Sequence, residues 1–69
     1  MPDVTVEKLG GASVTVHLPE GADVGDALAG ANIAVDAGHQ VRLNANGCSD
    51  ETVVRNGDQI LVIPKMAGA

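Results

Sequence analysis

The run Gln59-Ile60-Leu61-Val62-Ile63-Pro64 constrains this chain more than any other stretch. Four consecutive aliphatic residues, three of them β-branched, favour a central strand with something packed on both faces. Pro64 closes the run, because proline has no N–H to give to a ladder. Asn56-Gly57-Asp58 precedes it as a turn, with Gly57 free to take a positive φ. Any fold for this chain must therefore assemble a sheet around its last strand.

The earlier segments supply the neighbours. Val4-Thr5-Val6-Glu7 alternates apolar and polar, as a half-buried strand does, and Leu9 continues the apolar side less regularly. Gly10-Gly11 is a turn signal, after which Val14, Val16 and Leu18 share one face of a second strand. The two form an antiparallel hairpin that Pro19-Glu20-Gly21 ends. Val24, Ala27, Leu28 and Ala31 then fall at i, i+3, i+4 and i+7, which predicts a short helix over about residues 24–31. Asp23 is its N-cap, Asp26 lies near the positive end of the helix, and Asn32 suits a left-handed C-cap. Gly25 and Gly30 each weaken the helix by roughly 1 kcal/mol relative to Ala, so packing on the sheet must hold it. The small residues let it lie close to the strands. Ile33-Ala34-Val35 is an apolar link and Asp36-Ala37-Gly38 a turn. Residues 39–44 alternate again with Val41 and Leu43 inward, and residues 45–50 are rich in turn formers. Thr52-Val53-Val54 is either a short strand or one helical turn.

Hairpin, helix, strand, short element, strand is an α+β order with the helix on one sheet face. The chain has 69 residues, one domain's worth, and no repeat or linker interrupts it. It contains no Phe, Tyr or Trp, so its core must be aliphatic. Nine acids against four bases, a net charge of −5, argue against a nucleic-acid surface. The same charge suits a basic partner or simple solubility. Cys48 is the single cysteine and has no internal partner, which fits a reducing cytoplasm. Neither a membrane span nor a signal pattern is expected from the hydropathy.

Gly21, the Asp23–Ala31 helix, Val41-Arg42-Leu43-Asn44, Gly57-Asp58, the aliphatic strand, Pro64 and a small-residue terminus occur here in one order. In that order and in its tail the chain resembles the ThiS/MoaD family, small sulfur carriers of thiamine and molybdopterin synthesis related to ubiquitin. The resemblance implies a β-grasp fold: a mixed sheet of four or five strands, one main helix on one face, and the last strand between the first and third. Residues 65–69, small and with little apolar area to offset the entropy of ordering, are expected to form a flexible tail on this single domain. Family carriers end Gly-Gly, whereas this chain ends Gly68-Ala69.

Little in the body of the chain suggests chemistry of its own. His17 and His39 have no zinc-type spacing and read as solvent-facing strand residues. Cys48 lacks a nearby cation in sequence to stabilise a thiolate. Ser13 and Ser49 have no base beside them, and Gly10-Gly11 lacks the following helix of a phosphate loop. Asp50-Glu51 reads as a solvated turn. No cofactor and no catalytic residue is expected. The face of the sheet away from the helix is different: with Ile60 and Val62 inward, Leu61 and Ile63 point outward among Thr5, Glu7, His17 and Arg42. Such a face should be polar, so two large aliphatics there suggest a patch for a partner or for self-association.

Three readings follow. As a carrier, the resemblance implies that Ala67, Gly68 and Ala69 present the terminal carboxylate to an ATP-dependent, E1-like activating enzyme. Thiocarboxylate formation or conjugation to an amine would follow, with Leu61, Ile63, Arg42 and Lys65 as the docking surface. The five residues after Pro64 reach roughly 17 Å when extended. As a binding module, the sheet face recognises a partner and the tail is idle. As a structural subunit, the chain self-associates through the patch.

Overall fold

In the computed structural model, residues 1–33, 35 and 38–64 are described. Six elements follow one another: β1 (Asp3–Lys8), β2 (Ser13–His17), α1 (Val24–Gly30), β3 (His39–Leu43), β4 (Asn46–Gly47) and β5 (Gln59–Pro64). The strands form one sheet in the order β2-β1-β5-β3-β4. The β1–β5 pair is parallel and the other pairs are antiparallel. The expected α+β, β-grasp architecture is present, with β5 in the middle of five strands.

Period-2 alternation sets what each strand buries. Val4 and Val6 on β1, Val16 on β2, and Ile60 and Val62 on β5 point to the helix side and are buried. Val24, Ala27, Leu28 and Ala31 of the helical stripe meet them, joined by Leu18, Ala22 and Val54. Three positions expected inside, Val14, Val41 and Leu43, are only half-buried at the margin of this cluster. The cause is size. A seven-residue helix is only about 10 Å long; its Gly30 covers Val16, but Val14, Val41 and Leu43 are left at the margin of the packing. Ile33 and Val35, in the connection after the helix, pack against the cluster as well.

The helix has the ends its sequence called for. Asp26 N–H donates to Asp23 Oδ1 at 2.8 Å, and Asp23 N–H donates back to Asp26 Oδ2 at 3.1 Å. This reciprocal capping box satisfies two otherwise orphaned donors. Asn32 takes φ 58° just past the C-cap Ala31. Its N–H donates to Ala29 O and the Ile33 N–H to Leu28 O, the paired bonds of a Schellman ending. Gly30 lies over Val16, but a methyl there would meet Val16 Cγ1 at an ordinary 3.5 Å. Close approach at that point therefore does not require glycine.

Two loops differ from the sequence expectation. Asn44 does not extend β3. With Ala45 it forms the two-residue turn to β4, at φ 50° and 71°. Asn46-Gly47, the more familiar turn pair, lies in the strand instead. Thr52-Val53-Val54 is neither a helical turn nor a full strand. Val53 makes one isolated bridge to Asp23, with Val24 N–H bonded to Thr52 O and Val54 N–H to Ala22 O.

The start of β5 is held by side chains. Gly57 sits at φ 88°. Asp58 accepts the Arg55 N–H at Oδ2 (2.7 Å) and the Asn44 amide at Oδ1 (3.0 Å). Asn44 Oδ1 in turn accepts the Gln59 N–H at 2.9 Å. Asn56 Oδ1 accepts the Asp3 N–H, and the Gly57 N–H reaches Asp3 O, both at 2.9 Å. The turn before β5 is thus stitched to β1 on one side and to the β3–β4 turn on the other.

Leu28→Ala should cost about 2–4 kcal/mol of stability in chemical denaturation, the usual loss for a buried leucine. A change within about ±0.5 kcal/mol, the range of surface sites, would contradict its placement in the core. Ala45→Gly should stabilise by about 0.5–1 kcal/mol, because an L-residue at positive φ is strained and glycine is not. A loss of stability in the same denaturation series would show that residue 45 is not held in that conformation.

Candidate partner-binding face and tail

The alternation that buries Ile60 and Val62 turns Leu61 and Ile63 to the opposite, open face, where both are half-buried. Register places their neighbours. Leu61 lies between Glu7 of β1 and Arg42 of β3, and Ile63 lies beside Gln40. Glu7 and Arg42 are exposed. Thr5 and Thr15, whose hydroxyl oxygens are 3.5 Å apart, occupy the same face further along. The open face is therefore polar except around Leu61 and Ile63, as expected from the strand pattern.

Leu9 belongs with them, although the sequence reading placed it on the apolar, inward side of β1. Its N–H donates to Val62 O at 3.0 Å, continuing the parallel ladder one step beyond β1, so Leu9 comes alongside Ile63. It is 60% exposed, one of few large apolar side chains so open to water. The signal was available: Thr5, Glu7 and Leu9 are two apart and share a face. Leu9, Leu61 and Ile63 thus cluster where β5 reaches Pro64, which pairs with His39. Of the residues expected to form the site, Leu61, Ile63 and Arg42 come together on this face. Lys65, Ala67, Gly68 and Ala69 lie outside the described residues, as does the expected flexible tail.

The remaining chemistry-bearing groups stay apart. His17 Nδ1 is 2.5 Å from Asp3 Oδ1 across β1 and β2, and both side chains are exposed. His39 is half-buried rather than solvent-facing. Among the described residues, no group of three or more His, Cys, Asp or Glu could hold a metal ion. Cys48 is half-buried and its Sγ–H points to Val41 O at 3.6 Å. Burial pushes its thiol pKa up and the Asp50 charge adds to this, while a backbone hydrogen bond from Leu43 works the other way. The result is less thiolate at neutral pH, as for a structural thiol. A shallow concavity of about 610 Å³ opens beside Leu61, bounded by Thr5, Glu7, Asn44 and Gln59. Among the described residues no helix is long and apolar enough to cross a membrane.

No family model and no curated protein matches the sequence. Solved structures do match its shape. The crystal structure of Haloferax volcanii small archaeal modifier protein 1 aligns over 96% of this chain and 100% of its own, with TM-score 0.78 and 16% identity. The solution structure of the Haloferax volcanii HVO 2177 protein covers 99% of this chain and 87% of its own, with TM-score 0.72 and 20% identity. Caldiarchaeum subterraneum ubiquitin covers 99% and 98%, with TM-score 0.65 and 15% identity. At such identities the likeness is one of fold, and the fold is the β-grasp of ubiquitin-like proteins.

Proposed function

We propose that the chain is a ubiquitin-like carrier or modifier rather than an enzyme. Its tail, Ala67-Gly68-Ala69, offers the terminal carboxylate to an ATP-dependent activating enzyme. That enzyme grips the open sheet face at Leu61, Ile63 and Arg42, with Lys65 at the root of the tail. The observation that carries this reading is the junction at Pro64. Pro64 is the last described residue of the central strand and lies beside the apolar cluster of Leu9, Leu61 and Ile63. A partner seated on the cluster therefore lies next to Pro64, which the tail follows in sequence.

The chemistry asks little of this chain. A carboxylate oxygen attacks the α-phosphorus of ATP, pyrophosphate leaves, and an acyl-adenylate forms in the partner's active site. Sulfide-level sulfur then displaces AMP to give a thiocarboxylate, or an amine displaces it to give an amide. The nucleotide site and the acid–base groups belong to the partner. Small residues suit the tail because a narrow cleft admits them and glycine has no Cβ to clash. A cytoplasmic setting fits the lone free thiol. The names of two proteins that share this fold, a small modifier and a ubiquitin, point the same way.

ATP–pyrophosphate exchange with activating enzymes from the protein's own cells tests this directly. Wild type should support exchange, deletion of Gly68-Ala69 should eliminate it with little change in thermal stability, and Ala69→Gly should raise it by removing the methyl next to the reacting carbonyl. If a known carrier works in that assay while wild type and Ala69→Gly do not, the tail is idle and the chain is a binding module or structural subunit acting through its sheet face.

Leu61→Asp/Ile63→Asp should stay folded by circular dichroism yet lose partner binding, since a carboxylate on an open face stays solvated. Unimpaired binding by the folded double variant would remove this face from the account.

A further inference from the structure

Read across the strands, the open face carries a symmetrical row. Register aligns Ser13 on β2, Glu7 on β1, Leu61 on β5, Arg42 on β3 and Gly47 on β4. The sequence of properties is small, acid, leucine, base, small. Neighbouring strands are about 4.8 Å apart, so the Glu7 and Arg42 backbones stand roughly 10 Å apart, astride β5. Both side chains are exposed, and among the described residues neither makes an ion pair. One step along, Leu9, Ile63 and Gln40 form the next row.

We propose that this row is a self-recognition surface: two copies of the chain pack open face to open face about a two-fold axis that runs along β5. Such an axis exchanges left and right but keeps position along the strand. Leu61 then meets Leu61 and Ile63 meets Ile63. Glu7 of each copy faces Arg42 of the other, giving two opposite-charge contacts. Ser13 faces Gly47, so the outer strands bring only small groups together. The alternative two-fold axis, across the strands, would set Glu7 over Glu7 and Arg42 over Arg42. Charge thus selects one axis; either axis leaves the strands of the two sheets nearly aligned, as aligned sheet packing requires.

The inference rests on the reading of this face as a docking surface but not on the activation of the tail. It names a second copy as one occupant, and a copy so paired hides Leu61, Ile63 and Arg42 from any other partner. A standard interface of about 800 Å² per partner would take roughly a fifth of the chain's 4404 Å² surface. One face with three aliphatic side chains supplies little of that as apolar contact, so the association is weak and reversible. The net charge of −5 on each copy opposes it at long range, but beyond about 8 Å that repulsion is screened at physiological ionic strength.

Sedimentation equilibrium over a concentration series in physiological salt tests the arrangement. Wild type should show a reversible monomer–dimer equilibrium. Glu7→Arg alone and Arg42→Glu alone should each weaken it by about tenfold or more, because each sets like charges face to face. The combined Glu7→Arg/Arg42→Glu variant should restore it, since the row is then self-complementary with the signs exchanged. All three variants change exposed residues, and circular dichroism checks that they fold. Deletion of Gly68-Ala69 should leave the dimer unchanged, which separates this inference from the fate of the tail. A monomer at every concentration, a dimer indifferent to the single swaps, or a double swap that does not recover would each overturn the proposal.

Discussion

Everything in this structure depends on β5 being paired along both edges while its helix-side residues are dry. Ile60 and Val62 are 1% and 0% exposed, and the strand hydrogen-bonds to β1 on one side and β3 on the other. Fully burying an aliphatic side chain stabilises by about 1.5–3 kcal/mol. Two such residues therefore matter greatly in a domain whose whole margin is about 5–15 kcal/mol. The strand's start is fixed by Gly57, Asp58 and Asn44, and Pro64 is its last described residue. A chain without aromatic residues has few large side chains with which to compensate an error here. Its core is built instead from close-fitting Val, Ala, Leu and Ile gathered under one short helix.

The same strand connects fold to function. Because its buried side chains alternate with Leu61 and Ile63, making the core also makes the open-face patch. Because β5 is central, that patch lies in the middle of the face, with a strand carrying an acid on one side and a strand carrying a base on the other. Pro64, the last described residue of β5, lies beside the patch. No residue in this arrangement needs an unusual environment: the described polar side chains are mostly exposed, and no buried polar or charged residue is present among them. The chemistry proposed for this chain belongs to its partner.

Strand alternation, the helical stripe and the last aliphatic run were legible because each is a periodic signal that burial enforces. Asp23, Asp26 and Asn32 were legible because capping depends on local residue chemistry. The Asn44-Ala45 turn was not: Asn46-Gly47 is the better local turn pair, and it was overridden by the pairing of β3 with β5 and by the Asn44–Asp58 contact, both between segments distant in sequence. Val14, Val41 and Leu43 were expected deeper than they are because periodicity reports which face a residue is on, not how far the roof extends. Leu9 was visible as an apolar residue, but its place beside Ile63 depends on a ladder bond to β5 that no local pattern contains. Residues 65–69 read as a tail because small residues offer packing little, and they lie outside the described residues.

The central claim is that the tail carboxylate is the reactive group. Intact-mass spectrometry of the protein isolated from its own cells tests it most directly, with fragmentation to locate any change. The account predicts a species in which one oxygen of the terminal carboxylate is replaced by sulfur, or a covalent conjugate joined through the tail. Recovery of the free acid alone, from cells in which a known carrier is found modified, would contradict it.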